Sequence, residues 1–493
     1  MSEPQIPRDE QGPDGQSRIG KDEWVATHGE RREARSGVAG ALLDRWERLP
    51  VWLPLLVAVS FAAVFPFLTD SDYVVRVGFN ALVFALLALG LNIVVGWAGL
   101  LDLGYIAFFG FGAYAYAMLA SNKFDVHLPT PAALVIVIAA SALLGLLLGL
   151  PSRRVSGDYL AIVTLFFAQI FVTFTTNANR ITPPWRDETV DLTGGPNGIS
   201  GVDAFSLFGV DAIQVSSYFY IALVLLTLGM VALHLLSGSR TGRAWKAVRE
   251  DPLAAAAMTI PVNRVKLLAF AFGAATAGLA GSVFAAQQIG VFPQNFELPL
   301  LITIYAMVIL GGAGSIPGVV IGALAITIAL EVLRGPADAR LLFYGAIFAG
   351  VVLAIRPWQR LAALVAGTVV LGFAVHLVVG AVWPRGTERI AVEGDGLMGT
   401  LVEAWVLLPT APGTIGNVAF VLLVASVLGL TLLGERWRLV ALAPTLYLAA
   451  FVWENRLIFQ PSVTRLLILG ALLVVLMNAR PQGLLGTTRV EIT

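Results

Sequence analysis

Fourteen runs of mostly apolar residues, separated by short polar or charged loops, fix the class of structure this chain can adopt. They cover residues 51–68, 74–95, 105–120, 131–150, 159–176 and 218–236, then 267–287, 300–310, 316–333 and 341–355, and finally 361–382, 415–433, 439–453 and 464–477. Runs of this kind are bilayer-spanning helices, because a backbone in hydrocarbon must satisfy its own hydrogen bonds. Several are shorter than the ~20 residues of a straight span, which points to broken or tilted helices shielded by others. Charged residues make up 13% of the chain against 57% hydrophobic, where a soluble domain carries about 25% charged. The fold class is therefore an all-α polytopic membrane protein.

Composition also excludes chemistries. The chain has no cysteine, so disulfides, thiolate catalysis and cysteine-ligated metals are ruled out. His28, His127, His234 and His376 are scattered and form no metal cluster. No nucleophile–base cluster is visible, so the reading is a non-enzyme with no cofactor and no metal, and nothing points to nucleic acid. The first fifty residues are polar, so no cleavable signal peptide is expected. Residues 1–48 read as a disordered tail, charged and poor in apolar side chains. Residues 15–21 of that tail have the spacing of a phosphate-binding loop. Asp22 stands where a metal-ligating Ser or Thr is needed and no strand precedes it, so no nucleotide site is assigned.

The polar island over residues 237–266, SGSRTGRAWKAVREDPLAAAAMTIPVNRVK, lies between two long apolar runs. Arg240, Arg243, Lys246, Arg249, Arg264 and Lys266 outnumber Glu250 and Asp251, and that excess places the loop on the cytoplasmic side. Inside it, Asp251-Pro252 is a helix N-cap followed by proline at the first helical position. The alanine-rich run to Met258 forms a short helix, stopped by Pro261, which disfavours helical geometry at the residue before it. A methyl-surfaced helix at the membrane face suits docking into a groove on another protein.

Alternation outward from this loop puts every other basic cluster inside: the N-terminal arginines, Arg153-Arg154, Arg356 with Arg360, Arg436 with Arg438, and the Arg480/Arg489 tail. Both termini are then cytoplasmic. Pro336, Arg340, Gly345 and Arg356-Pro357 recur as Pro461, Arg465, Gly470 and Arg480-Pro481, so a terminal segment is duplicated. The domain reading is a tail over 1–48, a core over 49–357, an inserted membrane segment over 358–460, and the duplicated helix with its tail over 461–493. With the core complete at Ile355, the added helices are expected to pack peripherally.

Polar residues within the apolar runs are candidates for a transport path. Asn92, Gly96, Gly99 and Asp102 interrupt one stretch, where glycines permit close backbone approach and the polar pair needs partners or water. Tyr159, Thr164 and Gln169 follow on another helix, where Thr164 and Gln169 are polar without charge; helix packing and interhelical hydrogen bonds would use the same residues. Gly273, Ala277 and Gly281 make a small-residue packing stripe.

These pieces carry a resemblance. LNIVVGWAGLLDLGYIAFFGFGAYA, GDYLAIVTL, LTGGPNGI, SRTGRAWKAVREDPLAAAAMTI, FAFGAATAGLAGSVFA, VILGGAGSIPGVVIGA and RLLILGALLVVLMNARPQGLL occur in an order that resembles the LivM-type permease of branched-chain amino-acid ABC importers, in the hydrophobic-amino-acid uptake family. The resemblance implies a vitamin-importer-like (type II) permease core of about ten spans, here with about four more spans after it, in the cell inner membrane. It implies a second permease subunit in a heterodimer, two ABC ATPase subunits, an extracytoplasmic substrate-binding protein and surrounding membrane lipid. It also makes the polar island the ATPase-coupling loop, with Gly242, Arg243, Glu250, Asp251, Pro252, Ala255 and Ala256 as coupling residues.

The sequence departs from the family in three places. Thr259 stands where a glycine commonly follows the alanine-rich helix, Gln169 stands where an acid is common, and the N-terminal tail and added spans have no counterpart. Gln169 leaves urea, short amides or another small solute as alternative substrates. A secondary transporter is the reading from another class, and it lacks buried ionisable groups near mid-span.

Overall fold

The computed structural model describes residues 52–151, 157–182, 189–207, 210–355, 358–382, 404–407, 412–459, 468, 470 and 483–485. The chain divides into two units, residues 1–68 and 69–493. In the first, the described part is the apolar helix α1 (Trp52–Val64) and a tight helical turn, Phe65–Phe67. The tail over 1–48 and its phosphate-loop look-alike lie outside the described residues.

The second unit is helical. It holds α2 (Asp72–Leu91), α3 (Tyr105–Leu119), α4 (Thr130–Gly149), α5 (Asp158–Asn177) and α6 (Val215–Gly238). Two short helices fill the polar island, α7 (Arg240–Glu250) and α8 (Pro252–Ala257). Then come α9 (Val262–Gln288), α10 (Leu298–Gly311), α11 (Ile316–Val332), α12 (Pro336–Ala354), α13 (Trp358–Val382), α14 (Pro412–Leu432) and α15 (Glu435–Phe459). Proline opens the first turn of α8 and α12, where its missing N–H removes no helical bond. Among the described residues, eight helices are long and apolar enough to cross a membrane, and shorter apolar helices account for four more of the expected runs. Of the last expected run, 464–477, only Ile468 and Gly470 are described.

Two boundaries differ instructively from the sequence pattern. The expected span 74–95 ends as a π-helix, Asn92–Trp97, in which the Ala98 amide reaches back to the Ile93 carbonyl at 3.0 Å. Such wide turns redirect side chains and are frequent at functional sites. The run expected to stop at 453 continues to Phe459, carrying Glu454-Asn455-Arg456 inside α15. The helix tolerates Glu454 because Arg340 of α12 donates to its carboxylate at 2.8 Å, with both side chains 1% exposed.

The core is built on α9, which packs against α2, α3 and α4. Its small-residue stripe makes this possible: Gly273, Ala277 and Gly281 are all buried, and a Cβ at Gly281 would overlap the Phe109 carbonyl of α3. Phe109 then meets Phe284 and Phe296, each with ring centroids 5.4 Å apart.

Contacts between loops join the segments that alternation puts on one side. At the end assigned outside, two-residue strands β1 (Ile199–Ser200) and β2 (Gly290–Val291) pair antiparallel, and Asp203 donates its amide to the Ala120 carbonyl at 2.8 Å. His127 bonds Asp203 at 2.6 Å, Lys123 pairs with Asp191 at 2.9 Å, and Arg334 reaches the Tyr73 hydroxyl at 3.2 Å.

The added helices have their own contacts. Tyr344 of α12 donates to Glu454 at 3.1 Å, and Phe343 stacks on Trp453 at 4.2 Å. A cavity of about 460 Å³ lies between α12, α13 and α15, lined by apolar side chains with Tyr344, Thr368 and Trp405 among them.

Candidate functional site

The candidate in the polar island is a capped two-helix element. Ser239 caps α7 by accepting from the Gly242 amide at 3.2 Å. Asp251 caps α8 by accepting from the Leu253 and Ala254 amides at 2.7 and 3.1 Å, as Asp-Pro at that place predicts. At the other end the Ile260 amide bonds the Ala255 carbonyl and the Thr259 amide the Ala256 carbonyl, at 3.0 and 3.1 Å. This is a Schellman closure, and Thr259 occupies its left-handed position with φ of +64°. The glycine expected there by family resemblance therefore has a backbone reason.

The seven residues expected to couple divide into two groups. Arg243, Glu250, Asp251, Pro252 and Ala256 are exposed. Ala255 is 4% exposed and faces the protein, and Gly242 is buried, where a Cβ would overlap the Leu236 carbonyl. Neither offers surface to a partner, because the short helix must bury one side against the bundle. The outward face of α8 is instead carried by Leu253 and Met258, 83% and 75% exposed.

The inner face of α7 forms a knot that the sequence pattern did not reveal. Trp245 is fully buried, donates to the Val265 carbonyl at 2.7 Å and stacks on Trp97 at 6.1 Å. Trp97 donates to the Gly314 carbonyl at 3.0 Å, and the Gly314 amide donates to Asn92 Oδ1 at 2.7 Å. Arg249 donates from Nη1 to the Gly96 carbonyl, and its side chain lies against Gly99. Loop, π-helix and the turn over 312–315 are thus tied together by side-chain bonds. Asn92, Gly96 and Gly99, expected on a transport path, belong to this knot.

Asp102 and Thr164 do come together. Asp102 is fully buried and accepts the Gly104 amide at 2.9 Å, while the Leu103 amide donates to Thr164 Oγ1 at 2.9 Å. Tyr305 of α10 donates to the Asp102 carbonyl at 2.6 Å. Tyr159 and Gln169 lie elsewhere, on an uncovered face of α5. Tyr159, Phe166 and Ile170 are 74%, 64% and 63% exposed there, with Gln169 and Thr173 on the same stripe. The described residues contain no group of three or more His, Asp or Glu able to hold a metal.

Apolar spanning helices, a structured loop locked to their ends and an uncovered helix face with polar side chains make the build of a membrane transport permease. Residues 73–355 match the family described as branched-chain amino acid transport system / permease component, and the chain belongs to that family. It is 33% identical over 328 residues to the high-affinity branched-chain amino acid transport system permease protein LivM of Salmonella typhimurium, a match covering 62% of this chain and 73% of that protein. The LivM protein of Escherichia coli matches to the same extent. The corresponding BraD protein of Pseudomonas aeruginosa is 27% identical over 259 residues, covering 50% of this chain and 80% of the relative. No solved structure matches the chain.

Proposed function

We propose that the chain is the transmembrane subunit of an ABC importer for branched-chain or related amino acids, with a type II permease core and both termini cytoplasmic. The observation that carries this reading is the knot of Trp97, Trp245, Arg249 and Gly314. A soluble ATPase can drive a membrane path only through a loop that moves as one body with the helices, and α7 is bonded to the π-helix that ends α2 through Arg249 and to α9 through Trp245. Leu253, Ala256 and Met258 form the apolar knob that enters a groove on one of two ATPase subunits, rimmed by Arg243 and Glu250. The loop contacts described above agree with the alternation that puts this knob in the cytoplasm.

The uncovered stripe of α5 faces a second permease subunit across the path. Tyr159, Gln169 and Thr173 there present polar groups to a solute while Phe166 and Ile170 supply apolar surface. Asp102 with Thr164 and Tyr305 pins the neighbouring loop to α5 and α10, so those two helices move together. An extracytoplasmic binding protein delivers the solute at the opposite end.

The test is uptake into vesicles holding both permeases, both ATPases and the binding protein. Radiolabelled leucine should accumulate with ATP and not without it, and excess urea should not compete. ATP-independent accumulation, or competition by urea and not by isoleucine or valine, would overturn the assignment.

A further inference from the structure

The chain carries the landmarks of one terminal segment twice, and the two copies lead to different places. The family match ends at residue 355 and so takes in the first copy. After Arg356-Pro357, Trp358 opens helix α13. After Arg480-Pro481 comes Gln482-Gly483-Leu484-Leu485, and the described part of that stretch lies on the end of α10. The Leu484 amide donates to the Leu310 carbonyl at 2.8 Å and the Leu485 amide to the Gly311 carbonyl at 3.1 Å. These are among the last carbonyls of α10, which have no partner within their own helix.

The contact selects for the second copy. Gly483 has φ of +77°, and a Cβ there would lie 2.6 Å from the Gly312 backbone. Three residues after the first copy's arginine the chain has Gln359, which cannot take that place. The first copy is engaged with α15: Arg340 and Tyr344 hold Glu454, and Phe343 stacks on Trp453, while Ile468 of the second copy packs against the same cluster.

We propose that the second copy closes the transport core, and that Gly483-Leu484-Leu485 is a positioning element for the coupling knot. The first copy, although it is the one the family match covers, has become part of the added bundle. Bracing the last turn of α10 fixes the turn over 312–315, where Gly314 holds both Trp97 and Asn92. Residues 358–460 are then an excursion between two versions of one segment. The functional half of this inference rests on the importer reading; the structural half stands without it.

The chain has no cysteine, so paired cysteines report distances in the full-length protein. Ile309→Cys with Leu484→Cys should be joined by a short bis-thiol reagent, and Ile309→Cys with Arg360→Cys should not. The reverse result, or no cross-link with Leu484→Cys, overturns the structural claim. For the functional half, Gly483→Val is compared with Gln359→Val in assembled complexes, reading solute moved per ATP hydrolysed. That ratio should fall about tenfold for Gly483→Val, within the usual range of a coupling free energy, and stay at the parent value for Gln359→Val. Equal ratios for the two variants, or a Gly483→Val protein that moves as much solute per ATP as its parent, overturn the positioning role. A parent protein without ATP-driven uptake counts against the importer reading alone, since the cross-link result is read without it.

Discussion

In the apolar windows of α2 and α9, 78% and 61% of the residues are buried inside the chain, whereas in α13 and α14 the shares are 17% and 11%. All four are long and apolar enough to cross a membrane. The difference is that α2 and α9 are shaped to fit neighbours, while α13 and α14 need only be miscible with hydrocarbon. Val370, Val421 and Leu428 are each more than 60% exposed, and the surrounding lipid is as apolar as they are. A helix that gains nothing by burying leucine must be held by shape or by polar bonds. The core uses glycine-mediated contact, and the added bundle uses a few polar and aromatic anchors such as Arg340–Glu454.

Breaking the main anchor should therefore have the largest effect. Arg340→Leu leaves Glu454 buried beside an apolar side chain and should destabilise the added bundle by about 3–5 kcal/mol, seen as protease sensitivity of residues 358–459. Adding Glu454→Leu should restore most of that protection, because replacing both members removes the stranded charge. If the single variant is as resistant as the parent, the bundle is held by packing and the contrast with the core fails.

A paired substitution compares the two regions directly. Gly281→Leu forces a side chain into the Phe109 backbone and should cost about 1–3 kcal/mol or more, through overpacking. Gly429→Leu in α14 has nothing within 4 Å of its Cβ and should leave the melting temperature unchanged. Equal shifts would mean that the two regions are packed alike.

A smaller gain is expected in the loop. Thr259→Gly relieves a β-branched residue at φ of +64° and should stabilise the α8 closure by about 1 kcal/mol, measured as slower amide exchange at Ile260.

The smallest effect is in the loop that carries His127. The hydrogen bond that His127 donates to the Asp203 carboxylate, then that carboxylate's charge, raises the His127 pKa above 6.5. A raised pKa means the contribution is fully present below the unfolded value and is lost as pH rises through the folded one. Amide protection around residues 120–127 should fall as pH rises above 6.5, and His127→Gln should remove that dependence.

Much of this was legible in the sequence where one local rule acts alone. Asp251-Pro252 predicted the α8 cap, the spacing of Gly273, Ala277 and Gly281 predicted the packing stripe, and the apolar runs located the helices. Residues whose role depends on partners far along the chain were not legible. Trp97, Trp245 and Gly314 look like unrelated residues of an apolar run, a basic loop and a glycine-rich turn until the fold stacks the two indoles and bonds Trp97 to the Gly314 carbonyl. Ala255 and Ala256 differ only in which way a two-turn helix faces, and the expected run stops short of Glu454, whose partner Arg340 lies more than a hundred residues away.

The central claim is that the loop drives the helices through bonded contact, and Arg249→Leu tests it most directly. The substitution removes the bond to the Gly96 carbonyl while leaving the exposed face of α8 untouched. Assembled complexes carrying it should still bind and hydrolyse ATP, yet move far less leucine per ATP than the parent. An Arg249→Leu complex with the parent's leucine-to-ATP ratio would contradict the account.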